Sequence, residues 1–231
     1  MVPFSFAGQE LCLGARGGMA RALYWPAEQA LLVADLHLEK ASHFARLGQM
    51  LPPYDSRETL ERIAGALRET GARRVFCLGD NFHDAHGAQR LEPHAAGMLD
   101  ALARATDWVW IAGNHDEKGG AVPGTFIAEL ETGGLLLRHE ARPGEEKPEL
   151  SGHFHPRLRV TARGRSVARA CAVASERKLI LPAFGALTGG MDAADPAILA
   201  AMRPARAIDA LVPAAGRLAR FALWRETGRD A

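Results

Sequence analysis

Cysteine is scarce. Cys12, Cys77 and Cys171 are widely spaced, and none belongs to a C-x-x-C pair. That spacing argues against a disulfide framework and against zinc–thiolate sites, and it fits a reducing cytoplasm. No apolar run approaches the roughly 18 residues that a membrane span requires. The first residues, Met1-Val2-Pro3-Phe4-Ser5-Phe6, lack the basic start of a secretory signal. Internal repeats, low-complexity tracts and linker-like stretches are missing as well. One domain over residues 1–231 is therefore expected, long enough to bury a proper core.

What is present is ordinary in bulk and uneven in detail. Hydrophobic residues make up 48% and charged residues 24%, a globular composition. The net charge is only +1. Residues 1–150 nevertheless carry 15 Lys and Arg against 21 Asp and Glu, a net of −6. Residues 151–231 carry 13 against 6, a net of +7. An anion-binding surface is thus expected from the last third.

Five short apolar runs each end on a potential ligand. Leu31-Leu32-Val33-Ala34 delivers Asp35 and His37, and Val75-Phe76-Cys77-Leu78-Gly79 delivers Asp80. Trp108-Val109-Trp110-Ile111-Ala112 leads to Asn114 and His115. Leu135-Leu136-Leu137 leads to His139, and Glu149-Leu150-Ser151 to His153 and His155. Runs of this length read as buried strands, whose C-terminal ends present functional groups at one edge of a sheet. Between them, Asp55 with Glu58 opens a capping-box-like helix that runs to Gly71. Shorter helices are expected over 38–48 and 196–202, and a longer one over 88–105. Residues 5–35 hold two or three strands, with a hairpin about Pro26–Gln29. An irregular stretch over 117–134 carries a short element at 125–130. Arms at 157–162 and 166–173 flank Arg163-Gly164-Arg165, a strand follows at 178–181, and strands at 207–212 and 217–224 end the chain. The fold class is α/β: a sandwich of mixed sheets flanked by helices. Tyr24, Trp25, Trp108 and Trp110 read as core residues.

The strand-end residues suit a pair of divalent cations. Two such ions acting together sit about 3.5–4 Å apart. Their bare repulsion would be roughly 18 kcal/mol at an effective dielectric of 20, so bridging anions are required. Asp80, at the end of the central strand, is the natural shared carboxylate. Asp35, His37, Asn114, His139, His153 and His155 complete an O/N donor set without thiolate. Such a set suits manganese, with iron or zinc as alternatives, better than a structural tetrahedral zinc.

The motifs D-x-H (35–37), G-D-x-x-H (79–83), G-N-H-D (113–116), a lone His139 and G-H-x-H (152–155) resemble the calcineurin-like metallophosphoesterases. Leu-His-Leu-Glu-Lys (36–40), Met-Leu-Pro-Pro-Tyr-Asp (50–55) and Leu-Pro-Ala-Phe-Gly-Ala-Leu-Thr-Gly-Gly (181–190) are similar to the bacterial ligase-associated DNA-damage-response phosphoesterases. The likeness runs from about Tyr24 to Gly190. It implies a metal-dependent phosphodiesterase or DNA endonuclease, working beside an ATP-dependent DNA ligase and a helicase-like exonuclease. It also implies that Asp35, His37 and His155 hold one ion, that Asn114, His139 and His153 hold the other, and that Asp80 bridges. His115 would stand beside the metals as the catalytic acid, or else orient Asp80 or Asp116. His83 is left without a role.

Arg157, Arg159, Arg163, Arg165 and Arg169 follow the last histidines with no acidic residue between them. Alternation with Leu158, Val160 and Ala168 suggests that each arm has an arginine face and an apolar face. They read either as a phosphate-backbone track or as a solvated hairpin edge. A small phosphodiester or phosphomonoester is the alternative substrate, and a non-catalytic scaffold the alternative from another class.

Overall fold

Side chains alternate along the central strands, and that alternation sets the architecture. In the computed structural model, which describes residues 1–14, 19–116, 122–162, 164–214 and 216–226, β4 (Ala30–Val33) and β5 (Arg74–Leu78) lie parallel. Leu32, Phe76 and Leu78 point into one apolar cluster, while Leu31, Val33, Val75 and Cys77 point into another. A sheet that is apolar on both faces must be covered on both.

The first sheet has seven strands. β1 (Val2–Phe6), β2 (Gln9–Leu13) and β3 (Leu23–Trp25) form an antiparallel meander that joins β4. β5, β6 (Asp107–Ile111) and β7 (Thr125–Ile127) continue in parallel. The second sheet also has seven strands, from edge to edge β16 (Arg217–Arg225), β15 (Ala207–Ala214), β13 (Ala172–Ala174), β14 (Lys178–Ile180), β10 (Glu149–Ser151), β9 (Leu135–Leu137) and β8 (Leu130–Thr132). Of these, β9, β10 and β14 run parallel. Phe4, Leu13, Trp25 and Ile111 of the first sheet pack between the sheets on Leu137, Leu150, Leu179 and Leu211 of the second.

Helices cover the outer faces. α2 (Asp55–Thr70) and α4 (Pro93–Ala105) place Leu60, Ile63, Ala66 and Leu99 on Val33, Val75, Cys77 and Trp108. α5 (Pro196–Ala201) sets Ile198 and Ala201 on Val173, Ile180 and Ile208. Trp25, Trp108 and Trp110 are buried, and Tyr24 is partly buried against the helical layer. Among the described residues no helix is long and apolar enough to cross a membrane.

Several boundaries differ from the sequence-based expectation, each for a local reason. The helix over 88–105 is two pieces, α3 (Gly87–Arg90) and α4. Pro93 forces Glu92 into extended backbone (φ −66°, ψ 152°), and the Glu92 carboxylate then accepts from the His94 and Ala95 N–H groups. Asp55 does not cap α2. Its buried carboxylate accepts from the Ala41 N–H in the first turn of α1 (Lys40–Arg46). The second arginine arm ends at Ala170, and residues 172–174 cross into the second sheet as β13. The element near 125–130 is two strands, β7 and β8, in different sheets. Residues 5–35 hold the three strands β2, β3 and β4 and the end of β1, which starts at Val2.

Candidate metal centre

The C-terminal ends of the parallel strands of both sheets meet at one edge, and each of the seven expected ligands lies just beyond such an end. The loops after β4 and β5 run side by side. The Asp35 N–H donates to the Gly79 carbonyl at 3.1 Å, and the His37 N–H to the Asp80 carbonyl at 2.9 Å. Asp35 (φ 52°), His37 (45°), Asp80 (47°), His153 (73°) and His155 (49°) all have left-handed backbone. In a residue with a Cβ that conformation costs about 1–2 kcal/mol, and it persists where the surroundings over-determine it. The strain aims these side chains inward, away from the direction that continued strand geometry would give.

Two groups result. In the first, Asp35, His37 and His155 bring their ligand atoms within 4.8 Å of one another, and in the second Asp80, His139 and His153 do the same. The His37 and His155 Nε2 atoms are 3.3 Å apart, and His155 Nε2 lies 3.4 Å from Asp35 Oδ1. Asn114 joins the second group, its amide nitrogen 3.4 Å from His153 Nδ1. Asp80 faces both groups. Its Oδ2 is 3.7 Å from His37 Nε2, and its Oδ1 is 3.4 Å from His139 Nε2.

The donor set fits cations. Asp35 and Asp80 are buried, at 0% and 4% exposure, and among the described residues their ion-pair neighbours are histidines alone. Two buried carboxylates without a lysine or arginine partner are costly unless a cation compensates them. His139 is already oriented for one. Its Nδ1–H donates to the Leu78 carbonyl at 3.1 Å, which leaves the Nε2 lone pair facing Asp80 and His153. Burial pushes the His37 pKa down to about 3 and lowers that of His153, which favours the neutral imidazole that a metal needs.

His115 stands at the mouth of the site with its side chain half exposed. Its ring Nε2 is 3.9 Å from Asp80 Oδ2, beyond hydrogen-bond range, while its backbone N–H donates to Asp80 Oδ1 at 3.2 Å. Its ring is stacked on His83 with centroids 6.0 Å apart. His83 also lies edge-on to His37 and His43, and its Nδ1 is buried without a hydrogen-bond partner among the described residues. Burial, helped by Lys40 and His43, pushes its pKa down to about 4.

Some supporting residues are not evident as functional from the sequence. Asp116 is partly buried against the loops. Its carboxylate accepts from the Gly113 N–H at 2.9 Å, the Asn81 N–H at 3.0 Å, the Asn81 side-chain amide at 2.8 Å and the Phe82 N–H at 3.2 Å. It thereby ties the loop that carries Asp80 to the one that carries Asn114. Gly79 (φ 76°) and Gly113 leave room where a methyl group would overlap the His139 ring and the Asp80 backbone. The signal for all three was their fixed place beside a ligand in G-D and G-N-H-D.

The arginine stretch is less uniform than the sequence suggests. β11 (Arg157–Ala162) pairs antiparallel with β12 (Arg165–Ala170) in the register Arg157↔Ala170, Leu158↔Arg169 and Arg159↔Ala168. Paired residues share a face, so Arg157 and Arg159 lie on one side, and Arg169 lies on the other with Leu158, Val160 and Val167. The first arm thus keeps its arginines on one face, as expected, while Arg169 of the second arm lies on the opposite face of the hairpin. Arg163 lies outside the described residues, and the Arg165 backbone pairs with Ala162.

Residues 29–172 match the profile of the calcineurin-like phosphoesterase family. The chain belongs to this family. Calcineurin-like phosphoesterases generally use two divalent metals, and the two side-chain groups above are candidates to hold them. The family also makes the chain a hydrolase acting on phosphoester bonds. The crystal structure of the nuclease MPE from Pseudomonas putida is 31% identical, with a TM-score of 0.71 over 95% of this chain and 98% of that one. The phosphoesterase Yfce from E. coli is 15% identical, with a TM-score of 0.40 over 84% of this chain and 98% of that one. No curated protein matches the sequence at a significant level.

Proposed function

We propose that this calcineurin-like phosphoesterase hydrolyses phosphodiester bonds in DNA with two metal ions, and that it is one of the ligase-associated DNA-damage-response phosphoesterases. The observation that carries the two-metal reading is the Asp80 carboxylate, one oxygen of which faces each ligand group. The nucleic-acid reading is supported by the 31% identity with a nuclease along nearly the whole chain. The net charge of +7 over residues 151–231 adds to it. Work beside an ATP-dependent DNA ligase and a helicase-like exonuclease in the cytoplasm follows from membership of that group.

In this reading Asp35, His37 and His155 would hold one ion, Asn114, His139 and His153 the other, and Asp80 would bridge. Manganese suits the set, iron and zinc being the alternatives. Bound there, the ions would lower the pKa of a water and offset the charge that develops on the phosphoryl oxygens. The protein's own part is positional. Asp35 and Asp80 are held buried in the donor set, and His139 is fixed in one tautomer by Leu78. His115, free of ring hydrogen bonds to Asp80 and open to solvent, donates a proton to the departing alkoxide oxygen.

A second reading, hydrolysis of a small phosphoester, is favoured by the division of the arginines between two faces of the hairpin. The deciding experiment assays metal-reconstituted protein on end-labelled single- and double-stranded DNA beside cyclic nucleotides and phosphomonoesters. Cleavage of DNA at least about tenfold more efficient than that of the small esters is expected, a difference of about 1.4 kcal/mol. The reverse preference would establish the second reading.

A further inference from the structure

A cavity of about 290 Å³ is lined by Leu13, Arg21, Arg157, Arg169, Cys171 and Pro182 among others. Arg157 follows His155 by two residues of chain, a span of at most about 7 Å. Its side-chain carbons pack where a methyl group on Gly190 would fall, against the same glycine that touches the His155 carbonyl. Pro182 leads into Phe184 and Gly185, whose N–H groups donate to the Ala34 and Asp35 carbonyls at 2.8 Å and 3.3 Å. The cavity therefore adjoins the backbone that carries Asp35 and His155.

Arg21 and Arg157, two of the three arginines that line it, are under-used. The Arg21 guanidinium donates to the Ala183 carbonyl at 3.3 Å, and that of Arg157 to the Ala168 carbonyl at 3.4 Å. Each guanidinium has five N–H donors in a rigid fork. Among the described residues neither has a carboxylate at ion-pair distance, although Arg62, Arg74, Arg90, Arg138 and Arg225 do. Arg21 also has left-handed backbone (φ 75°). Its pKa is lowered by burial and by the like charges of Arg62 and Arg157. Cations gathered without counter-charge, with free donors in fork geometry, call for a doubly accepting anion such as phosphate.

We propose that Arg21 and Arg157 form a phosphate subsite that holds the phosphate next to the scissile one, on the side of Asp35 and His155. This assignment rests on the phosphodiesterase reading for its substrate and on the cavity alone for its anion. It gives the enzyme a preference for chains of phosphodiesters over single ones, independent of base sequence.

The test separates the two parts. Metal-free protein in chelator is titrated with inorganic phosphate by calorimetry, as wild type, Arg21→Ala and Arg157→Ala. Saturable binding that weakens at least tenfold in both variants is expected, with partial rescue by Arg21→Lys. Metal-loaded wild type and Arg21→Ala are then compared on a thymidine oligonucleotide and on bis(p-nitrophenyl) phosphate. A rise in KM of about tenfold on the oligonucleotide, with kcat kept and the aryl ester unaffected, is expected. Phosphate binding unchanged by either substitution would overturn the subsite. So would equal changes on both substrates, or none on the oligonucleotide. If the wild type hydrolyses neither substrate, the phosphodiesterase reading fails, while the phosphate titration still decides the anion site.

Discussion

The His153 backbone N–H donates to both carboxylate oxygens of Asp35, each at 3.0 Å. Asp35 ends a strand of the first sheet and His153 follows a strand of the second, so this bond ties the two ligand-bearing edges together. The metal centre belongs to the seam between the sheets. Disturbance of either edge should reach both ligand groups.

Asp80→Asn removes the charge from the one carboxylate that faces both groups while keeping its shape. The expected outcome is loss of most bound metal and a fall in hydrolysis of about a thousandfold, equivalent to about 4 kcal/mol. The fold should survive, because the Asp80 side chain makes no packing contact that an amide could not make. Metal analysis beside circular dichroism checks this. Two equivalents of tightly held metal in the variant would disprove the bridging role.

Gly79→Ala tests the space left for His139. A methyl group there meets the imidazole ring, and the residue must hold φ 76°. About 1–2 kcal/mol of backbone strain is expected before any clash is counted. His139 should move, and the second metal should be lost before the first. Titration calorimetry would then show the stoichiometry fall from two toward one. Retention of both sites at wild-type affinity would mean that the loop relaxes without moving His139.

Much of this centre was legible in the sequence because its chemistry is local to strand ends. Asp35, His37, Asp80, Asn114, His139, His153 and His155 each follow a short apolar run, and a parallel sheet leaves few other places for such residues. The partners of Asp116 were not legible. It accepts from residues 34 and 35 positions away, a distance set by the path of α3 and α4 and not by any motif. Arg21 was missed for a similar reason. It lies in a loop of the meander and meets Arg157 only when the two sheets close. The division of the arginines depends on hairpin register, which the turn about Gly164 decides by a single residue. Asp55 resembled a cap because its spacing to Glu58 was right, yet α1 offered it a buried partner instead.

His115→Gln separates proton delivery from metal binding. Both ions should stay, since the His115 ring makes no hydrogen bond to Asp80. On an alkyl ester kcat should fall by about 10²–10³-fold, in the range of a lost general acid. On a p-nitrophenyl ester, whose leaving group needs little protonation, the fall should be under about threefold. Equal losses on both would make His115 a positioning residue.

Acid should weaken the metal-free protein through His83. Its pKa is lowered from 6.5 to about 4 in the fold by burial, so between these values the unfolded chain binds a proton that the native state does not. Stability then falls as pH drops through that window. The slope should be well below the limit of about 1.4 kcal/mol per pH unit, because solvent screens the partly exposed ring. Buried Glu39 and Glu149 and partly buried Asp116, whose pKa values are raised by desolvation, act in the opposite sense. Comparison with His83→Gln cancels them. The advantage of wild type over the variant should shrink from pH 6.5 to 4 in urea titrations, and a constant difference would show that His83 titrates normally.

The hairpin register makes a prediction about DNA that a uniform arginine track would not. Arg157 and Arg159 share a face with Ala168 and Ala170, and Arg157 reaches the cavity beside His155. Arg169 shares the other face with Leu158, Val160 and Val167, next to Val212 and Phe221 of the second sheet, and it also borders the Arg157 cavity. A nucleic-acid backbone running to the metals along the Arg157 side should therefore feel Arg159 more than Arg169. Arg159→Ala should lower the magnitude of the salt slope of binding by about 0.9 on duplex or 0.7 on single strands, uniformly across sequences. Arg169→Ala should lower it by less. Equal reductions would mean that the backbone wraps both faces of the hairpin. No reduction from either would make the hairpin a solvated edge, on which basic residues only discourage pairing with another strand, and would shift the substrate toward a small phosphoester.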